Sequence, residues 1–254
     1  MANVASLPLL LKTLKLCAVQ RSWESVAENA IDRQWTHQRY LAELCEQEVA
    51  ERHRKKIQRF IRESKLLPGK TLSSFDFKEL IKPTVQQIET LGSDIGWVQR
   101  AENVLFFGAS GIGKSHLAAS IGYSLIERGV RVRFTSATLL VQSLQKARKE
   151  LGLAEALSRL DKFAVIILDD IGYVKPTDRE AQVLFELIAH RYETGSLVIT
   201  SNQNFSEWDK IFGDAIMTVA AIDRLVHHAT VLEFDGDSYR RKMSIKRAKK
   251  KLKI

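Results

Sequence analysis

Between Gly108 and Ser115 the chain reads Gly-Ala-Ser-Gly-Ile-Gly-Lys-Ser, with the apolar run Val104-Leu-Phe-Phe107 before it and an amphipathic stretch after it. A glycine-rich turn between a buried-type strand and a helix lets successive backbone N–H groups wrap a chain of phosphates, and the helix N-terminus adds partial positive charge. The spacing matches a phosphate loop at every position. Gly108, Ala109, Ser110, Gly111, Ile112 and Gly113 supply the cradle, Lys114 reaches the β- and γ-phosphates, Ser115 offers its hydroxyl to Mg²⁺, and His116 completes the binding candidates. A dinucleotide loop fits poorly, because His116 stands where a third glycine belongs and the second strand ends Phe134-Thr-Ser-Ala137 with no acid for a ribose.

Around that loop, short β-type runs alternate with helical patterns, the rhythm of a parallel sheet covered on both faces. Strands are expected at Asn103–Phe107, Val130–Thr135, Ala164–Asp169, Ser196–Thr200 and Thr230–Phe234, giving a five-stranded α/β core. Helices are expected at 114–128, 138–150, 154–160, 178–193 and 205–227. Residues 1–67 read as an all-helical domain, with helices at 7–20, 22–33 and 36–67, and Trp23 and Trp35 packing them together. Pro68-Gly69 ends the last of these. The remaining segments are a linker over 68–100, the core over 101–239 and a basic tail over 240–254.

The strand Phe163-Ala-Val-Ile-Ile-Leu168 runs into Asp169-Asp170. At the carboxyl edge of a parallel sheet beside a phosphate loop, Asp169 suits the Mg²⁺ sphere and Asp170 suits orienting an attacking water. The next strand ends in Thr200-Ser-Asn202, where the Asn202 amide can hold a water between carboxylate and phosphate. Arg224, in Ile222-Asp-Arg-Leu225, and Arg240, in Ser238-Tyr-Arg240, are candidates for stabilising phosphate charge.

The net charge of +9 comes from one place: Arg240, Arg241, Lys242, Lys246, Arg247, Lys249, Lys250, Lys251 and Lys253 lie within the last fifteen residues, and without them acids and bases balance. A second basic run, Arg52, Arg54, Lys55, Lys56 and Arg59, lies on a helix with Glu63 as the only acid from Arg52 to Lys65. Two basic stripes point to a polyanion such as nucleic acid. Cys17 and Cys45 fit neither a zinc site nor a disulfide framework, and a reducing cytoplasm is expected. His227-His228 has no third ligand at metal-binding spacing. No apolar run is long enough to cross a membrane.

Nearly the whole chain resembles the IstB-type helper ATPases of bacterial insertion sequences, relatives of the DnaC and DnaI helicase loaders in the AAA+ superfamily. The resemblance is carried by Glu46-x-Glu48-Val-Ala-x-Arg52, Lys70-Thr-Leu-x-x-Phe-Asp-Phe77, Arg100-Ala-Glu-Asn-Val-Leu105, the phosphate loop, Leu168-Asp-Asp-Ile-Gly-Tyr173, Thr200-Ser-Asn202, Asp223-Arg-Leu225 and Ser238-Tyr-Arg240. It implies an ATP- and Mg²⁺-dependent protein that oligomerises through its ATPase domain on double-stranded DNA, remodels or bends that DNA and recruits a transposase. A replicative helicase loader is the alternative. It further implies that Asn202 is sensor 1, Arg224 an arginine finger offered to a neighbouring subunit and Arg240 sensor 2, with Phe75 and Phe77 against the adenine. Asp170 departs from the pattern: most AAA+ proteins carry Glu there, one methylene longer.

Overall fold

The computed structural model describes residues 4–77, 80–172, 177–212, 214–236 and 238, and its contacts divide the chain into two compact units, Met1–Arg59 and Phe60–Ile254.

The first unit begins with α1 (Leu7–Thr13) and α2 (Cys17–Asp32), followed by the larger part of α3 (His37–Ser64). Leu11, Val19, Val26 and Leu44 form its buried core, with Trp23, Trp35 and Tyr40 packed against them. The single helix expected over 7–20 is broken at Lys15, whose backbone is left-handed with φ of 56°. The break leaves the first N–H groups of α2 without a local cap, since Leu16 offers no side-chain acceptor. Glu48, on α3, takes that place: its Oε2 accepts from the N–H groups of Ala18 at 2.7 Å and Val19 at 3.4 Å. Arg52 then donates to Glu48 Oε1 at 2.8 Å and to the Lys15 carbonyl at 3.0 Å. A negative group at a helix N-terminus is favoured by the helix dipole as well as by the hydrogen bonds.

The basic run on α3 is therefore less bare than its sequence implies. Besides the Arg52–Glu48 pair, Glu51 bonds Arg21 at 3.0 Å, lies 3.4 Å from Lys55 and pairs with Arg54. These acids, Glu48 and Glu51, sit just before the basic run, one turn earlier on the helix.

The second unit is built on a sheet of β1 (Leu80–Lys82), β2 (Asn103–Gly108), β3 (Val132–Ser136), β4 (Val165–Ile171), β5 (Ser196–Ser201) and β6 (Ala229–Gly236). Their spatial order is β1-β6-β2-β5-β4-β3, parallel except for β1, which pairs antiparallel with β6. The expected count of five is corrected to six, because β1 is only three residues long and too short to show a period. Helices α4 (Val85–Ser93) and α5 (Gly96–Gln99) precede β2, and α6 (Lys114–Glu127) follows the loop after it. Thereafter come α7 (Ala137–Lys149), α8 (Leu153–Ser158), α9 (Asp178–Arg191), α10 (Asp209–Phe212) and α11 (Ala215–Val226).

Both sheet faces are covered, as the apolar strands require. Leu105, Ile166, Leu168, Leu197 and Ile199 pack with residues of α7, α9 and α11, while α6 lies with α4 and touches Ile167 through Gly122. The one long helix expected over 205–227 is instead a short turn followed by α10 and α11, and Asp214 caps the latter by accepting from the Ile216 N–H at 2.8 Å. Buried Asn103 fixes the edge of β2: its amide donates to the Leu225 carbonyl at 3.1 Å and accepts from the Leu197 N–H at 2.9 Å, joining β2, β5 and α11. Among the described residues, no helix is long and apolar enough to cross a membrane.

Hydrogen bonds from Arg52, Ala18 and Val19 hold the Glu48 carboxyl below its ordinary value of 4.5, against the opposing effect of burial. Its contribution to folding is present above that value and is lost as pH falls through the depressed one. Glu48→Ala is expected to destabilise the protein by about 1–3 kcal/mol near neutral pH. That difference should narrow below the ordinary carboxyl value, as measured by denaturant unfolding followed by circular dichroism at several pH values.

Candidate functional site

The loop between β2 and α6 has no room for side chains at two of its glycines. A Cβ on Gly108, at φ of 146°, would stand 2.5 Å from the Phe234 carbonyl oxygen; one on Gly113, at φ of 111°, would stand 2.5 Å from Cε2 of Phe75. Both angles disfavour any residue with a Cβ. The loop then opens α6 with Lys114, which is 5% exposed and donates from Nζ to the carbonyls of Gly108 at 2.7 Å and Ala109 at 2.9 Å. Its ammonium is thus held by the loop that carries it.

Beside the loop lies a cavity of about 430 Å³, a size suited to a small-molecule ligand. Ser110 to His116 line one side, Lys70, Ser74, Phe75 and Asp76 come from the connector, and Asp170 comes from β4.

The position of Asp170 follows from an irregularity in the sheet. β4 pairs in register with β5 as far as Leu168 and Ile199, then shifts before Ile171 meets Ser201. Asp170 adopts a left-handed φ of 57° within that shift and emerges exposed. Bulges of this kind re-aim side chains beside functional sites. The irregularity is secured by Thr200, fully buried on β5, the strand between the loop strand and the carboxylate strand. Its Oγ1 donates to Asp169 Oδ1 at 2.7 Å and accepts from the Asp170 N–H at 2.9 Å. One hydroxyl therefore orients both acidic residues.

The Ser115 hydroxyl and the two carboxylates are hard oxygen donors, the chemistry that Mg²⁺ prefers. With a glycine cradle in which a Cβ has no room and a lysine ammonium at its rim, these residues fit a nucleotide triphosphate with its magnesium ion.

The other sequence candidates are placed unevenly. Phe75 lines the cavity and meets Phe77 edge to face at 4.7 Å between ring centroids. Asn202 is exposed past the end of β5 and does not line the cavity. Arg224 lies at another hollow, lined also by Tyr192, Ile216, Val219 and Asp223; it donates to the Ala220 carbonyl at 2.8 Å and lies over the Phe185 ring at 5.2 Å. Arg240 and residues 241–254, with Arg241, Lys242, Lys246, Arg247, Lys249, Lys250 and Lys251, fall outside the described residues. The fold also brings exposed Glu193 beside His227 and His228, with one potential ligand atom of each within 4.8 Å of the others, a third donor that spacing along the chain does not reveal.

Sequence reasoning missed Thr200, Lys70, Ser74 and Asp76. Thr200 carried a signal, a polar residue closing the apolar run Leu197-Val-Ile199. Lys70 and Asp76 lie within Lys70-Thr-Leu-x-x-Phe-Asp-Phe77, where only Phe75 and Phe77 are given a role, and Ser74 carried no signal of its own.

A phosphate loop on an inner strand, an acidic pair on the strand next but one and this strand order together define a P-loop domain of the AAA+ type. Residues 9–247 match the family of IstB-like ATP binding proteins, and the chain belongs to that family. It is 46% identical over 241 residues to an insertion-sequence ATP-binding protein of Sinorhizobium fredii, covering 95% of this chain and 81% of that one. It is 38% identical over 227 residues to the IS5376 ATP-binding protein of Geobacillus stearothermophilus, covering 89% and 90%. Among solved structures, the DnaC helicase loader aligns with a TM-score of 0.53 at 17% identity, over 66% of this chain and 98% of that one. DnaA of Aquifex aeolicus aligns at 0.54 and 21% identity, over 74% and 57%. These two likenesses concern the fold.

Thr200→Val keeps the shape of the side chain and removes the hydroxyl that joins Asp169 to the Asp170 N–H. It is expected to lower nucleotide turnover about 10-fold or more with nucleotide affinity retained, because both hydrogen bonds that orient the acidic pair through this hydroxyl are lost. Thr200→Ser should restore most of it. Unchanged turnover in the valine variant would show that the carboxylates do not depend on this hydroxyl.

Proposed function

We propose that this chain is an ATPase that helps transposition: it assembles on double-stranded DNA in its ATP-bound form, remodels or bends that DNA, recruits a transposase and leaves the DNA as ATP is hydrolysed. The observation that carries the proposal is the separation of Arg224 from the cavity that holds Lys114 and Asp170. Within one copy, the loop and Asp170 share a cavity while this arginine faces another hollow, so an Arg224 that acts on the phosphates acts on those of a neighbouring copy. Exposed Ile216 and Val219, at 81% and 68%, lie beside it and offer an apolar surface for that neighbour.

Each residue's part follows from its chemistry. Lys114 exchanges the carbonyls of Gly108 and Ala109 for the β- and γ-phosphates, and the loop N–H groups bind the remaining phosphate oxygens. Ser115 and Asp169 would hold a magnesium ion, which would supply neutralisation of the charge that develops on the phosphates. Asp170 accepts a proton from, or orients, the attacking water, and its displacement at the bulge compensates for a side chain one methylene shorter than Glu. Asn202 and Arg240 assist at the γ-phosphate, and Phe75 and Phe77 bound the adenine. The basic residues of α3 and of the tail contact DNA phosphates. The relatives in insertion sequences, matched along most of their length, support transposition over helicase loading as the setting.

ATP hydrolysis measured with and without duplex DNA tests this reading. Arg224→Ala is expected to retain ATP affinity and to lose DNA-stimulated turnover by about 10²–10³-fold, the usual effect of removing one charge-stabilising donor. Full turnover in that variant would remove Arg224 from the site, and absence of turnover in the unaltered protein on DNA would overturn the ATPase reading.

A further inference from the structure

His116 stands two residues after Lys114, in the first turn of α6, and lines the same cavity. Its Nε2 lies 3.0 Å from the Thr71 carbonyl oxygen and 3.2 Å from Ser74 Oγ. A carbonyl only accepts, so Nε2 carries the proton and donates it toward Thr71. Ser74 supports the same assignment. Its single proton is directed to the carbonyl of Gly69 at 2.7 Å or of Thr71 at 2.8 Å, and its oxygen accepts from the Thr71 N–H at 3.1 Å, so toward His116 it is an acceptor.

The contacts of the next residue give this tether a consequence. Phe75 follows Ser74 directly, meets the His116 ring edge-on at 5.0 Å between centroids and lies against Gly113 at the end of the phosphate loop. His116 thus holds the two connector residues, Thr71 and Ser74, that fix where the Phe75 ring stands. The same short turn of α6 carries Lys114 and Ser115.

We propose that His116 is a positioning residue that sets Phe75 as a wall for the nucleobase, joining the base end of the cavity to its phosphate end. The proposal rests on the nucleotide reading above. It assigns His116 no contact with phosphate. Loss of the tether therefore weakens the part of the affinity that the base supplies and leaves the part that the phosphates supply.

Calorimetric titration of the full chain with Mg·ATP and, separately, with Mg·tripolyphosphate, which has no base, distinguishes the two parts. His116→Ala is expected to weaken ATP binding about 10-fold, the size of one lost base–aromatic contact, and to leave tripolyphosphate binding unchanged. His116→Gln retains an N–H donor and should recover most of the loss. Phe75→Ala should reproduce the alanine effect, and the double variant should be no weaker than either single one, because both changes remove the same wall. An equal loss for both ligands, unchanged ATP affinity in His116→Ala, or additive losses in the double variant would overturn the proposal. Lys114→Ala serves as the control for the site itself and should lose both ligands. If the unaltered protein binds neither, the nucleotide reading fails; if it binds both and His116→Ala binds ATP equally well, only the role of His116 fails.

Discussion

Two missing Cβ atoms, at Gly108 and Gly113, decide where the rest of the site can stand. The first lets the end of β2 press against the backbone of β6 at Phe234, its register partner, and the second lets the connector's Phe75 press against the turn into α6. The phosphate loop is thereby fixed between a strand that comes late in the chain and a connector that comes early. A side chain at either position would meet neighbouring atoms at 2.5 Å and would also require a left-handed or extended-positive φ that L residues rarely adopt. Lys114 and His116 inherit their positions from this close approach, since both lie in the first turn of the helix that the loop starts.

Across the sheet, the acidic half of the site is ordered by a different device. The loop strand and the carboxylate strand are not neighbours; β5 runs between them and contributes Thr200. A buried hydroxyl that donates to one aspartate and accepts from the backbone of the next makes the bulge at Asp170 a defined structure with its polar groups paired. Every member of this arrangement comes from one copy of the chain. Arg224 does not join it, and the proposed coupling of hydrolysis to assembly rests on that exclusion.

How much of this was legible depended on how far apart the interacting residues are in sequence. The phosphate loop reads directly because its requirements are local: glycines where the backbone turns left-handed or approaches another chain segment, then Lys-Ser at the start of a helix. β2, β4 and β5 read as apolar runs because both faces of the sheet are buried there, and β3 and β6, only partly buried, read through their β-branched and aromatic residues. β1 escaped notice, as three residues of an edge strand carry almost no pattern and Ile81 is left 68% exposed. The break at Lys15 was equally hidden, since the carboxylate that caps α2 comes from Glu48, 30 positions beyond Ala18. Within the site, the acidic pair could be anticipated from its strand. Thr200 showed only its place at the end of an apolar run, and the tether between His116 and the connector showed nothing, because both sets of hydrogen bonds form only after the sheet and connector are in place.

The central claim is that one copy is an incomplete ATPase that ATP and duplex DNA bring together with others. Light scattering of the Asp170→Ala variant, which should bind ATP without turning it over, measures this most directly when run with and without ATP and with and without a linear duplex several footprints long. Large particles that require both ATP and duplex are the predicted result. A monomer under all four conditions would contradict the account, because no neighbouring copy would then be present to receive Arg224.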